Sequence, residues 1–288
     1  MEENTMEVTG PLDYVTLALF ELLGTAVLTL AMNFGYKTGP DIVSAGLFVG
    51  ILLTYRVTGS HLNGGVTVGV AIVENASSGK KLKVTAAYII GQLLGGYLGM
   101  LIAYGMLGYT GSMDMAPNDL NDNVFYVMLI EFINSWIFLT IYLYAKIDWV
   151  APSQDFGLRA FTMMGVQYAC TSFTQKITGG ALNPSIGFCA CTFRAILLKD
   201  GDISNIKFLA SYLVAPILAG TLAGVYIRYF AIKVTPPVPE NAVSPIGQRR
   251  TTKKLKLNSL NESKSHISNT SLSHTHLSQS EDNNRRDA

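Results

Sequence analysis

The sequence predicts an all-α membrane protein: six transmembrane helices and two re-entrant half-helices, built as an inverted three-plus-three repeat. Three observations predict it. Charged residues make up only 14% of the 288-residue chain, against roughly 25% in a soluble domain. Six apolar runs are long enough to cross a bilayer, whose ~30 Å core takes about 20 helical residues. Two further apolar stretches, each opened by an Asn, are too short to span and recur in matching places in the two halves.

The spanning runs fall at residues 12–34, 41–57, 84–107, 124–145, 157–174 and 208–232. Each reads as a helix, because lipid offers backbone groups no partner and a helix satisfies them internally. Glycines four apart mark faces where helices pack closely: Gly46/Gly50, Gly91/Gly95, Gly95/Gly99 and Gly220/Gly224. The short stretches are Val66–Val73 and Ile186–Leu198. Irregular backbone at membrane depth is tolerated only where it is buried in protein or lines a cavity. A pair of interrupted segments in corresponding positions therefore points to a site at the midplane.

The halves repeat. His61-Leu62-Asn63-Gly64-Gly65 answers Ala181-Leu182-Asn183-Pro184-Ser185, and Glu21-Leu22-Leu23-Gly24 answers Glu131-Phe132-Ile133-Asn134. Leu93-Leu94-Gly95-Gly96 answers Ile217-Leu218-Ala219-Gly220. Three spans per half is an odd number, so the second copy must be inverted. Asn is a favoured helix N-cap and Pro184 sits where a first turn accepts proline, so Asn63 and Asn183 are each expected to cap a half-helix. Inversion brings the two N-termini together, and their dipoles sum to a positive potential that disfavours cations and protons. The two side-chain amides can hold a neutral polar molecule by its oxygen.

Charge divides the chain into an acidic N-terminus at 1–11, an apolar body at 12–232 and a polar tail at 233–288. Residues 1–232 carry 12 Lys/Arg against 15 Asp/Glu, and 233–288 carry 9 against 5. No basic face is available for nucleic acid. The three cysteines, Cys170, Cys189 and Cys191, do not make a disulfide framework. No nucleophile–base set, metal cluster or phosphate loop is found, so neither an enzyme nor a cofactor or metal is expected. Residues 1–11 contain Glu2, Glu3 and Glu7 but no Lys or Arg, unlike a signal peptide. Lys80, Lys81, Lys83 and Lys146 in alternate loops, and the basic tail, place both termini in the cytoplasm. The excess of Lys176, Arg194, Lys199 and Lys207 in 175–207 fits a re-entrant segment. In the tail, Arg249-Arg250-Thr251-Thr252-Lys253-Lys254-Leu255-Lys256 is a candidate contact for anionic lipid, weakened by phosphate on either threonine. Residues 257–288 are Ser- and Asn-rich and are expected to be disordered.

In these motifs the chain resembles the aquaporins, the major intrinsic protein family, over about residues 12–232. The resemblance rests on Glu21-Leu22-Leu23-Gly24-Thr25, Thr58-Gly59-Ser60-His61-Leu62-Asn63, Gln92, Glu131, Thr178-Gly179-Gly180-Ala181-Leu182-Asn183-Pro184 and Ala215-Pro216. It implies a passive channel for water or small neutral solutes, a homotetramer with one pore per subunit, and roles for Glu21 and Glu131 in accepting N–H groups of the re-entrant loops. It implies an outer filter at Val43, Thr171, Gly180 and Ile186, and puts His61 at the cytoplasmic mouth. The departures are specific. The family's two Asn-Pro-Ala motifs are here Asn63-Gly64-Gly65 and Asn183-Pro184-Ser185. The filter Arg is Ile186, and the Asp that follows it in glycerol-conducting members is Gly187. The filter is therefore expected to be apolar and wide, and Gly64 to loosen its half-helix. An ion-coupled transporter and a non-conducting membrane protein of the same fold remain the alternatives.

Overall fold

The computed structural model describes residues 10–74, 79–108, 117, 123–193, 195–196 and 204–236. Among them the regular structure is entirely helical: α1 (Pro11–Thr38), α2 (Pro40–Thr58), α3 (Gly64–Val73), α4 (Gly79–Leu107), α5 (Val124–Lys146), α6 (Phe156–Thr174), α7 (Pro184–Phe193) and α8 (Leu209–Tyr226). A 3₁₀ turn, Ser204–Phe208, leads into α8, and a π-helical turn, Ile227–Ala231, joins it to the short α9, Ile232–Val234. All six predicted spans are helices. Five of them are long and apolar enough to cross a membrane, counting α8 with its flanking turns. The exception is α6, whose 19 residues include Arg159, Thr162, Gln167, Thr171 and Ser172. The second short apolar helix is Pro184–Phe193; residues 194 and 197–198 of the expected apolar stretch lie outside the described residues. Arg194, Lys199 and the whole basic cluster Arg249–Lys256 lie outside the described residues, as do 1–9.

The exterior is apolar and much of the polar chemistry lies inside, the reverse of a soluble protein. Leu19, Leu23, Leu52, Leu53, Ile90, Leu94, Ile133, Phe173 and Leu218 are exposed, while Glu21, Gln92, Glu131, Asn63 and Asn183 are buried. An apolar surface this extensive is what a lipid environment requires.

Small residues set the helix spacing. A Cβ at Gly91, Gly95 or Gly99 would stand 2.3, 2.4 or 2.6 Å from the carbonyl oxygens of Ala18, Leu22 and Ala26. The pairing 18–91, 22–95, 26–99 runs in one direction, so α1 and α4 are parallel, as the first and third spans of a half must be. In the second half Ser211 Oγ donates to Val124 O, and Tyr226 packs on Tyr144, so α5 and α8 are parallel too. The half-helices cross between halves: α3 lies on α8 and α7 on α4. A Cβ at Gly220 or Gly224 would meet the carbonyl oxygens of Gly65 or Gly69 at 2.3 and 2.7 Å. This exchange ties the repeats into one body.

Candidate functional site

The site is built from two loops, residues 59–63 and 179–183, that fold alike. Leu62 and Leu182 both have φ +50°, and the positions two before them, Ser60 and Gly180, have φ +54° and +67°. A left-handed conformation costs a non-glycine residue roughly 1–2 kcal/mol, so something must hold it. A buried carboxylate does so in each half. The N–H groups of His61 and Leu62 donate to Glu21 at 3.0 and 2.7 Å. Those of Ala181 and Leu182 donate to Glu131 at 3.3 and 3.0 Å, with the Thr178 hydroxyl at 2.5 Å. Both intramembrane carboxylates thus bond loop backbone, and neither Glu21 nor Glu131 is among the residues lining the cavity.

The strained leucines turn their carbonyls toward the opposite repeat. Asn63 Nδ2 donates to Leu182 O at 2.9 Å, and Asn183 Nδ2 donates to Leu62 O at 2.7 Å. The same side chains cap their own half-helices. Asn63 Oδ1 accepts from Gly65 N at 2.7 Å, and Asn183 Oδ1 accepts from Ser185 N at 3.0 Å and Ile186 N at 3.4 Å. An amide nitrogen carries two hydrogens. One is spent across the repeat, which leaves each Asn one N–H for a guest. At the far end of α3, Lys81 Nζ donates to Glu74 O and Arg228 Nη1 to Ile72 O, both at 2.8 Å. Cations there complement the helix dipole whose positive end faces the Asn pair.

Gln92 links the halves. Its Nε2 donates to Glu21 Oε2 at 2.8 Å and to Thr67 Oγ1 at 3.0 Å, and its Oε1 accepts from Ser185 Oγ at 3.1 Å. Ser185 and Gly64 are matched to this arrangement. A Cβ at position 64 would come within 2.9 Å of Pro184 Cγ and 3.0 Å of Ser185 Oγ. The loosening expected from Gly64 is therefore not what the packing displays: α3 starts at Gly64, capped by Asn63, and the missing side chain admits Pro184 and Ser185. Gly64→Ala is expected to cost roughly 1–3 kcal/mol through overpacking. In a Ser185→Ala background the same change should cost less, a coupling of roughly 0.5–1 kcal/mol in a thermal-unfolding cycle.

A cavity of about 10 Å³, open to the centre of a water molecule, lies at the Asn pair. That is room for about one water. Asn63, Asn183, Ile186 and His61 line it, with Gln167, Tyr142 and the apolar Leu28, Met32, Leu47, Phe138 and Ala181. Of the four expected filter residues, Ile186 lines this cavity. Val43 and Thr171 are buried one helical turn from Leu47 and Gln167, and Gly180 neighbours Ala181. His61, expected toward the cytoplasmic mouth, is only 5% exposed; its Nδ1 is 3.1 Å from Thr67 Oγ1 and its ring meets Tyr88 edge-on. Sequence reasoning missed Tyr142, whose hydroxyl donates to Ser60 O at 2.7 Å, and Lys146, whose Nζ donates to Gly59 O at 2.7 Å. A buried Lys in the last turn of a span was the available signal. Tyr212 likewise bonds Thr178 O in the second loop. Cys170 and Cys189 are buried thiols outside the cavity lining. Among the described residues no cluster of His, Cys, Asp or Glu could hold a metal ion.

Two half-helices meeting N-terminus to N-terminus inside an inverted repeat of spanning helices, over a water-sized cavity, define a membrane channel. The chain belongs to the major intrinsic protein family, which it matches over residues 15–227. It is accordingly a multi-pass membrane protein and a passive channel for water or small neutral solutes, not an enzyme. It is 26% identical over 253 residues to a Plasmodium berghei protein described as an aquaglyceroporin, covering 81% of this chain and 95% of that one. Among solved structures it is similar to the aquaglyceroporin of Plasmodium falciparum, with a TM-score of 0.63 and 23% identity, covering 75% of this chain and 96% of that one.

Proposed function

We propose that the channel passes water and at least one larger neutral solute, urea or glycerol, through a constriction formed by Val43, Thr171, Gly180 and Ile186. The observation that carries this reading is Ile186 itself. It stands in the cavity lining beside Asn183 and brings neither charge nor donor. A filter of this composition discriminates by size and little by hydrogen bonding. The two relatives described as aquaglyceroporins favour glycerol among the solutes. The water-sized cavity must widen for such a solute, and the flexible Met32 is the side chain best able to give.

In this reading Asn63 and Asn183 are the pore donors, Glu21 and Glu131 the loop anchors, and His61 a lining residue of the inner half. Residues 12–232 form the channel domain, assembled as a homotetramer. Residues 1–11 and the tail 233–288 face the cytoplasm, where Arg249–Lys256 meets anionic lipid. The test is stopped-flow swelling of vesicles carrying the protein under water, glycerol and urea gradients. Swelling with water and with one of the two solutes is expected. A protein that passes water alone would contradict the proposed breadth.

A further inference from the structure

The side chain of Gln167 lies outside the positions that the filter reading assigns, yet it lines the cavity at the Asn pair and is 4% exposed. It is fixed from behind: Gln167 Nε2 donates to Thr171 Oγ1 at 2.8 Å, one turn further along α6. The oxygen of that amide bonds no group among the described residues. The rest of the lining mixes the apolar Leu28, Met32, Leu47, Phe138 and Ile186 with His61, Tyr142 and the two asparagines. That oxygen is not sealed off like a fully buried atom: it is accessible at the cavity, where a guest can supply its missing donor. The polarity of α6, which sets it apart from the other spans, thus has one of its causes here.

We infer that Gln167 is a specificity-determining residue: it accepts a hydrogen bond from the permeating solute while Asn63 and Asn183 donate to it. The site then presents two donors and one acceptor around a small cavity. It fits neutral solutes that combine an acceptor oxygen with N–H or O–H donors, the class of ureas and small polyols. This supplies, from a different helix and with no charge, part of the hydrogen bonding that Ile186 does not. Thr171 acts as a positioning residue, because its hydroxyl aims the amide. The inference rests on the proposed passage of a solute larger than water.

The test compares the natural protein, Gln167→Leu and Thr171→Val in liposomes, reading urea, glycerol and water permeability by stopped flow. Leaving a solute's donor unpaired at a buried site should lower the solute-to-water permeability ratio about tenfold in Gln167→Leu. Thr171→Val, which frees the amide to turn, should lower it by about threefold for the same reason. A merely structural Gln167 would reduce all fluxes together and leave the ratio unchanged; that result overturns the inference. If Gln167→Leu is not recovered as assembled protein, Gln167→Met, which keeps the length of the side chain without its acceptor oxygen, decides, and no change in its ratio overturns the inference. A natural protein that passes neither urea nor glycerol overturns the proposed breadth and this inference together, whereas intact solute flux with an unchanged ratio in both variants overturns this inference alone.

Discussion

Glu131→Leu is expected to abolish recovery of the assembled channel, and Glu21→Leu to do the same. Each carboxylate is fully buried and accepts two consecutive backbone N–H groups, with a third donor from Thr178 or Gln92. Leucine fills similar space but leaves those donors unpaired. Each unsatisfied buried donor costs about 1–3 kcal/mol, so the loss of three is roughly 3–9 kcal/mol per site. The leucines at φ +50° would also lose the bonds that hold their carbonyls toward the opposite Asn. Glu→Gln keeps the shape and one acceptor oxygen, and should fall between the natural protein and Leu. The readout is the fraction of extracted protein eluting as folded oligomer, with its thermal midpoint. A natural midpoint in Glu131→Leu would mean that the loop holds itself.

The second large effect is expected at the filter. Ile186→Arg should lower urea and glycerol permeability at least tenfold while water flux falls much less. Ile186 is 1% exposed and faces the cavity, and its neighbours Leu28, Leu47 and Phe138 offer no carboxylate. A guanidinium introduced there can satisfy its five donors only toward the pore. It would narrow the constriction and add a fixed positive charge beside the half-helix N-termini. Overpacking of roughly 1–3 kcal/mol accompanies the change, so flux is normalised to assembled protein. Undiminished solute flux in assembled Ile186→Arg would place the constriction at other residues.

Much of this architecture is legible in the sequence, because each signal is local or repeated. The spans follow from run length. The half-helices follow from two short apolar stretches opened by Asn. Repetition of Glu21 and Asn63 as Glu131 and Asn183 marks the site twice, which lifts it above either residue alone. What was hidden depends on partners far apart in the chain. Nothing around Asn63 says that its amide will find Leu182, 119 residues on. Gln92 could be picked out, but not that it joins Glu21 and Thr67 in one half to Ser185 in the other. Gly64 reads as a weakened helix start when only its own turn is considered, and as a fitted contact once Pro184 lies against it. Gln167 carries no local sign of facing a cavity, and His61, expected at the cytoplasmic mouth, none of lying at the Asn pair. That follows from the rotation of α6 and the course of the first loop, which packing across the two halves sets.

The account stands on the two asparagines acting as one site, each spending one amide hydrogen on the other repeat and keeping one for the permeant. The measurement that bears on this most directly is water and proton flux, side by side in the same vesicles, for Asn63→Ala and Asn183→Ala. Each substitution removes a cap worth about 1 kcal/mol and one of the two crossing bonds. The predicted result is that both variants alter water flux or admit protons, and that they do so alike. Natural water flux with natural proton exclusion in both variants would contradict it.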